Sequence, residues 1–301
     1  MGALSTATSR NDYRQETFHA KPGLVVPEAK IRADFQKPNI RAKPKRVTET
    51  EYWDKYYEHT DAIYEWNNGL LEDKPVSDHE NTLMYLWFVE LLREFLRVHR
   101  VANLTALEMG FRLNLPEKTV IRRPDLGVVL NNNQTPLQPD ERSYRGVCDM
   151  CIEVISDSKP EEIERDTQTK LGEYEAAGVK EYYILYAKGA PRAFYRLNQL
   201  GVYVPIKRVE GDVIQSTVLP GFQFRISDLS AQPSPQEMAF DPVYEQFVLP
   251  YYQEEQKKAE AEQRLRQKET QRADLAEARA KEAEQQIKRL EAELARLKKS
   301  Q

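Results

Sequence analysis

The pattern of apolar and polar residues predicts a strand, a helix and a second strand over residues 154–186. A short apolar, β-branched run comes first, and Ser156 to Ser158 followed by Pro160 have the composition of a helix start. Gly178 is a typical helix stop. The run from Glu181 to Tyr186 mixes aromatic and aliphatic residues, as buried strands do. Such a β-α-β unit predicts two parallel strands.

One face of the predicted helix carries a lysine. Four residues at spacings of four, three and four share that face: Ile163, Thr167, Lys170 and Tyr174. Lys170 either extends its ammonium to solvent at the edge of the stripe or is buried and needs a carboxylate partner. Two acids are expected nearby, because Glu153 ends the preceding strand and Asp125 precedes an apolar run, Leu126 to Leu130.

Two carboxylates and an amine that meet at the edge of a sheet suit a hydrolytic metal site. Carboxylate oxygens are ligands that Mg²⁺ prefers, so Asp125 and Glu153 are predicted to bind Mg²⁺, with Mn²⁺ as an alternative. Lys170 is predicted to orient the attacking water or to stabilise charge on a phosphate. Replacing Lys170 by alanine is expected to abolish Mg²⁺-dependent hydrolysis at this site and to leave the fold intact.

Several short motifs occur in an order that matches a known family. They are Tyr64 to Gly69, His79, Pro124-Asp125, Glu153 to Ser156, Asp166, Lys170, Tyr174, Gly178-Val179, Glu181 to Tyr183 and Leu219 to Phe224. Together they resemble the Uma2 family, also called DUF820, of the PD-(D/E)XK nuclease superfamily. The resemblance implies a restriction-endonuclease-like α/β fold, a mixed β-sheet flanked by helices, over residues 48–230. It also implies DNA as substrate and Asp125, Glu153 and Lys170 as catalytic residues.

One position departs from the superfamily pattern. Its lysine usually lies two residues after the second acid, where this chain has Ile155, so the resemblance implies that the lysine has moved to Lys170. A second hypothesis follows, in which the domain is a catalytically inactive module that binds DNA or protein. Glu65 is either an additional acid near the metal or an ordinary cross-strand charge, and His79 is interpreted as structural.

The C-terminal part has a different composition. Alanine and leucine or isoleucine recur at alternating spacings of three and four from Ala273 to Leu297, between charged residues. This heptad pattern predicts a coiled coil over residues 250–301 that assembles a homo-oligomer, and a single solvated helix is the alternative. Residues 231–249 are predicted to be a linker, and residues 1–47, polar and rich in proline, a disordered arm.

Composition narrows the class of protein. The chain has no run of 18 apolar residues and no apolar segment at its start, so neither a membrane span nor a secretory signal is expected. Cys148 and Cys151 are predicted to be buried free thiols of a cytoplasmic protein. A net charge of −4 argues against strong non-specific nucleic-acid binding. Arg122 and Arg123, next to Asp125, are the preferred candidates for local phosphate contacts.

Overall fold

The structure is a computed structural model that describes residues 45–60, 62–106 and 109–299, with side chains at 293–295 and 297–299 left aside. The arm predicted over residues 1–47 therefore lies outside the described residues, apart from its last three positions. The elements before the proposed catalytic lysine are α1 Glu49–Lys55, β1 Tyr64–Asn67, β2 Leu70–Asp73, α2 His79–Val98, β3 Ala102–Thr105, β4 Phe111–Asn114, β5 Thr119–Arg122, β6 Leu126–Leu130, β7 Met150–Val154, α3 Pro160–Glu164 and a π-helical turn Arg165–Thr169. Those that follow are α4 Lys170–Ala177, β8 Glu181–Leu185, β9 Ala193–Leu197, β10 Tyr203–Pro205, β11 Val213–Gln215, β12 Gln223–Arg225, α5 Asp228–Ala231, α6 Pro235–Met238 and α7 Pro250–Lys299.

A six-stranded mixed sheet forms the centre, in the order β10-β9-β8-β7-β6-β3. Its only parallel neighbours among the described strands are β7 and β8, in a register that pairs Glu153 with Ile184. The prediction of a parallel pair joined by a helix is therefore confirmed. With its flanking helices and the long C-terminal helix, the domain has the α/β architecture that the sequence predicts.

A second, four-stranded antiparallel sheet, β2-β1-β5-β4, is connected to the first through residues 123–125. Its outer hairpin turns at Asn68 and Gly69, whose positive φ angles of 43° and 96° suit a two-residue hairpin turn. Because β5 belongs to one sheet and β6 to the other, Asp125 lies at the junction of the two sheets.

Helix α2 covers one face of the central sheet. Asp78 caps it, since its Oδ1 accepts a hydrogen bond from the Asn81 N–H at 2.9 Å. Aromatic and leucine side chains recur on its inner face and are fully buried: Phe88, Leu91, Leu92 and Phe95. The apolar stripe of α2 thus explains both its length and its position.

Residues 231–249 are packed against the core, whereas the sequence predicts a linker there. Phe247 lies edge-on to Phe95 of α2 at 5.4 Å between ring centroids, and Tyr244 is fully buried. Trp87 Nε1 also donates a hydrogen bond to the Pro233 carbonyl at 2.9 Å. Ser234 caps the short helix α6, which begins at Pro235, and the chain that follows returns Phe247 to α2 and completes the core.

Helix α7 begins against this segment and then extends as a continuous helix. Gln253 is buried and donates from Nε2 to the carbonyls of Glu245 and Val248 at 2.7 and 2.9 Å. Further along, large apolar side chains of the helix are exposed: Leu265, Leu275, Ile287 and Leu290. The long helix is as predicted, and the coiled coil stays a prediction.

Two predictions from composition can be compared with the structure. Cys148 and Cys151 are both buried and free, as expected. None of the helices in the described part of the chain has the length and apolar character needed to cross a membrane.

Candidate active site

A buried cluster of charged side chains lies where the two sheets meet α4. Its members come from five places in the fold: β1 (Glu65), the end of β2 (Lys74), the β5–β6 junction (Asp125), β7 (Glu153) and the helix after β7 (Asp166 and Lys170). No single stretch of sequence contains the site, so the topology of the two sheets assembles it.

Lys170 is buried, and three carboxylates surround its ammonium. Its Nζ lies 3.0 Å from Glu153 Oε1, 3.0 Å from Asp166 Oδ1 and 3.4 Å from Glu65 Oε1. The side chain is only 2% exposed, so a lysine that extends to solvent is excluded. Burial opposes the charged form, but Asp166, Glu153 and Glu65 together raise the pKa of Lys170. Lys170 therefore remains an ammonium at neutral pH.

A π-helical turn contains Asp166 and ends directly before Lys170. The Lys170 N–H bonds to the Arg165 carbonyl, five residues back, and thus cannot bond to the Asp166 carbonyl as it would in an α-helix. The Tyr182 hydroxyl donates to that carbonyl at 2.8 Å. The extra residue of the turn changes the inward face, which is more polar than the sequence predicts: Glu162, Asp166, Lys170, Glu173 and Tyr174 are buried, whereas Ile163 and Thr167 are half-buried.

Tyr182→Phe is expected to lower the free energy of unfolding by about 1–2 kcal/mol, because it leaves a buried carbonyl in the π-helical turn without its donor. Denaturant unfolding measures the change. The control is Tyr186→Phe, whose hydroxyl bonds to the more accessible Asp157 at 2.8 Å, with an expected change within about 0.5 kcal/mol. Equal effects of the two substitutions would contradict the role given to Tyr182.

Glu153 lies at the centre of the cluster and is the next-to-last residue of β7. Its Oε1 accepts a hydrogen bond from the Tyr174 hydroxyl at 2.9 Å and contacts Lys170. Burial raises the pKa of Glu153 to about 8, and the ammonium groups of Lys170 and Lys74 oppose this rise. A cation that approached Glu153 would stabilise its charged form.

Asp125 faces Glu153 across the β6–β7 ladder. Leu126 pairs with Ile152 in this antiparallel register, so the next pair outward is Asp125 with Glu153, and directly opposed residues have Cβ atoms about 5 Å apart. Asp125 Oδ2 accepts a hydrogen bond from the Val154 N–H at 2.7 Å. The structure thus brings the two predicted acids together at one edge of the sheet.

The ammonium that pairs with Asp125 belongs to Lys74, a residue that the sequence analysis missed. Lys74 Nζ lies 2.8 Å from Asp125 Oδ1 and donates to the Arg123 carbonyl at 2.6 Å. The only signal in the sequence is a lysine directly after the second strand of a hairpin. Such a lysine is ordinarily a surface residue, and its role depends on the packing of the hairpin beside the β5–β6 junction.

Glu65 is a member of the cluster and is not a surface charge. Its Oε1 accepts the Arg123 N–H at 2.8 Å and lies near Lys170, while its Oε2 contacts Arg122 Nη1 at 3.0 Å. Burial opposes ionisation, but Lys170 and Arg122 lower the pKa of Glu65. The β1–β5 register places Glu65 opposite Arg122, so the structure contains the cross-strand pair, and a role of Glu65 near a metal stays a prediction.

Arg122 is fully buried, and the expectation of a phosphate contact is wrong for it. Its guanidinium forms a two-pronged pair with Glu173, at 2.6 Å from Nε and 2.9 Å from Nη2, and its Nη1 also contacts Glu65 and Glu72. Each of the three guanidinium nitrogens therefore contacts a carboxylate. The group joins β5 to the β1–β2 hairpin and to α4, and it holds the frame of the site.

Arg123 and His79 also lie apart from the predicted chemistry. Arg123 is largely buried, with its guanidinium over the Tyr57 ring and Nη1 donating to the Tyr57 carbonyl at 3.0 Å. Its expected phosphate contact is likewise not supported. His79 is the exposed first residue of α2.

The cluster offers the right atoms for a hard divalent cation. Within the described residues, no three acidic, histidine or cysteine side chains form a ready group of metal ligands. Asp125 and Glu153 supply hard carboxylate oxygens from opposite strands, and Mg²⁺ binds through one or two carboxylates while it keeps several waters. Two carboxylates have the donor chemistry that a hard divalent cation takes, with Lys74 and Lys170 interleaved among the acids, and the metal itself stays a prediction.

Known proteins resemble this chain in sequence and in fold. Residues 50–230, more than half of the chain, match the family model Uma2, described as "Putative restriction endonuclease". A similar solved structure is that of "a putative nuclease belonging to DUF820 from Anabaena variabilis ATCC 29413". It is 15% identical, with a TM-score of 0.49, and the likeness covers 62% of this chain and 98% of that one. No curated protein matches the chain.

Proposed function

Since the chain belongs to the Uma2 family of restriction-endonuclease-like proteins, we propose that it is a Mg²⁺-dependent endonuclease that hydrolyses phosphodiester bonds of DNA. The observation that best supports this function is the contact of 3.0 Å between Lys170 Nζ and Glu153 Oε1, beside Asp125 on the facing strand. Two acids and an amine, distant in the chain, share one buried site. A purely structural ion pair does not require a second carboxylate on the facing strand.

In this proposal Asp125 and Glu153 hold the metal through one carboxylate each. The chemistry that bound Mg²⁺ supplies is a water of lowered pKa and positive charge beside the phosphate. Lys170 acts through its positive charge, since its raised pKa makes it a poor base. Glu153 and Asp166 orient the ammonium from two sides, and Tyr174 fixes the Glu153 carboxylate by its hydrogen bond.

The nicking of supercoiled plasmid tests the proposal. Wild-type protein with Mg²⁺ or Mn²⁺ is expected to nick the plasmid, and Asp125→Asn and Glu153→Gln are each expected to lower the rate by at least about 10²-fold, the scale of losing a group that acts on transition-state charge. Asp149→Asn is the matched control, since Asp149 is also a buried acid but pairs with Lys180 at the opposite end of β7 from Glu153. Full cleavage by Asp125→Asn, or no cleavage by the wild type with either metal, would contradict the function and leave a nuclease fold retained for binding.

We further propose that α7 joins copies of the chain through a coiled coil. The exposed apolar residues of this helix support the proposal because isolated helices rarely expose such a stripe. A chain cut after residue 256 keeps buried Gln253 and is expected to become monomeric, whereas the full chain is an oligomer. Equal masses in solution, measured by light scattering, would remove the helix as the means of assembly.

We also propose that the protein is cytoplasmic, because of the state of its cysteines. Both cysteines are buried free thiols, which persist most readily in a reducing compartment.

A further inference from the structure

Lys74 occupies the oxygen of Asp125 that a divalent ion would need. Its ammonium lies 2.8 Å from Asp125 Oδ1, and the other carboxylate oxygen already accepts the Val154 N–H at 2.7 Å. The Lys74 side chain is 8% exposed. A full positive charge in a poorly solvated site repels a second cation strongly, so metal and ammonium compete for the same oxygen.

Lys74 pairs directly with one of the two proposed metal ligands, Asp125, and its ammonium also donates to the Arg123 carbonyl. Lys170 is held differently, by Asp166 and Glu65 as well as by Glu153.

We propose that Lys74 is a resident cation at the metal position, and that its ammonium leaves Asp125 when a divalent ion binds. The inference rests on the proposed function, since it takes Asp125 and Glu153 as the metal ligands. It assigns the two lysines different roles. Lys170 stays in place and contributes charge to the reaction, whereas Lys74 exchanges with the metal and keeps Asp125 paired in its absence.

The local structure allows Lys74 to move. It follows the last residue of β2 and precedes the cap of α2, in a segment without regular structure whose Val76 is 89% exposed. Its ammonium is held by one carboxylate and one carbonyl, both at the β5–β6 junction. Rotation of the four-carbon stem releases both contacts without disturbing the β1–β2 hairpin.

Departure of Lys74 also provides a route to the site. Glu153, Glu65 and Lys170 are at most 2% exposed, so a phosphate cannot reach them in the arrangement described. Asp125, at 22% exposed, and Lys74 form the side of the cluster that is open to solvent. The exchange of Lys74 for a metal ion therefore couples metal binding to the entry of a phosphate into the buried cluster.

Mn²⁺ titration by calorimetry, on the full chain, tests the competition. Lys74→Met is expected to bind Mn²⁺ at least about tenfold more tightly than the wild type, because the competing charge is gone. Lys118→Met is the matched control: this lysine pairs with Glu173 at 2.6 Å, away from Asp125, and its loss is expected to leave the affinity unchanged. Asp125→Asn is expected to remove binding in both backgrounds.

The outcomes separate the two proposals. Binding in the wild type that depends on Asp125, with equal or weaker binding in Lys74→Met, overturns the role of Lys74 and leaves the proposed function standing. Failure of Lys74→Met and wild type alike to bind Mn²⁺ overturns both. Tighter binding in Lys74→Met that is lost with Asp125→Asn supports both.

Lysine reactivity in the wild type tests the displacement itself and does not depend on the folding of a variant. Acetylation by a water-soluble N-hydroxysuccinimide ester, read by mass spectrometry, is expected to be slow at Lys74 without metal and at least about tenfold faster in saturating Mn²⁺. Lys170 is expected to stay protected, and Lys188, 42% exposed, to react equally in both conditions. Unchanged protection of Lys74 in saturating Mn²⁺ would overturn the proposal.

Discussion

Lys170→Met is expected to reduce Mg²⁺-dependent cleavage by at least about 10²–10³-fold, the scale of removing a group that stabilises transition-state charge. It is also expected to lower the free energy of unfolding by about 3–5 kcal/mol, because it leaves buried carboxylates without their shared ammonium. The sequence alone predicts loss of cleavage with an intact fold. The contacts to Glu153, Asp166 and Glu65 change the second half of that prediction.

Two measurements separate the catalytic loss from the structural one. Denaturant unfolding gives the stability, and plasmid nicking is measured at a temperature where circular dichroism reports a folded variant. Lys118→Met is the control, since this lysine is 30% exposed in its pair with Glu173, and it is expected to retain cleavage. Unreduced cleavage by folded Lys170→Met would remove Lys170 from the mechanism.

The cost of Lys170→Met is expected to depend on pH. Burial raises the pKa of Glu153 in the folded protein to about 8, above its ordinary value of 4.5. Because the folded protein holds this proton more tightly than the unfolded chain, the Glu153 carboxyl contributes to the free energy of unfolding below about pH 4.5. This contribution is lost as the pH rises through about 8. Without Lys170 the folded state keeps this proton more strongly, so the destabilisation is expected to be smaller at about pH 5 than at about pH 8.

Arg122→Met is expected to lower the free energy of unfolding by about 3–5 kcal/mol, again because buried carboxylates lose their partner. Glu173 loses a two-pronged pair, and Glu65 and Glu72 lose contacts to Nη1. Arg122→Lys is expected to recover only part of the loss, since an ammonium cannot reproduce the planar fork. Denaturant unfolding measures both variants.

The matched control for Arg122 is an arginine on the neighbouring strand. Arg112 pairs with Glu49 at 2.6 Å, but its side chain is 41% exposed, and Arg112→Met is expected to cost about 0.2–1 kcal/mol. If Arg122→Met were as mild as Arg112→Met, the buried network would not join β5 to the β1–β2 hairpin and α4 as described.

Local patterns predicted the elements that carry the site. The aromatic run from Glu181 to Tyr186 and the helix stop at Gly178 indicated the β-α-β unit, and β7 and β8 are parallel. The Asn68-Gly69 pair forms the turn between β1 and β2, and Asp78 caps α2. These features depend on neighbours in sequence, so the chain itself encodes them.

Contacts between distant segments were not predictable in the same way. Lys74 and Arg122 have ordinary sequence surroundings, and their partners lie about 50 residues away, at Asp125 for the first and Glu173 for the second. The π-helical turn depends on the Tyr182 hydroxyl from the following strand. The spacing argument assumes a regular α-helix and placed Ile163 and Thr167 on the inner face. The buried residues are their neighbours Glu162 and Asp166.

Residues 231–249 illustrate a limit of reading composition. Three prolines and a serine predict a break, yet Tyr244 and Phe247 follow them and are buried, with Phe247 against Phe95 of α2. The two aromatic residues were the signal for packing. Composition did predict that α7 is a long helix, and α7 has no aromatic residues after its first turn.

The most direct measurement is a crystal structure of the wild-type protein in Mn²⁺, with anomalous scattering to locate the metal. We predict one peak that contacts an oxygen of Asp125 and an oxygen of Glu153, with Lys170 still paired to Glu153. A well-ordered crystal at saturating Mn²⁺ with no peak between those two carboxylates would contradict the account.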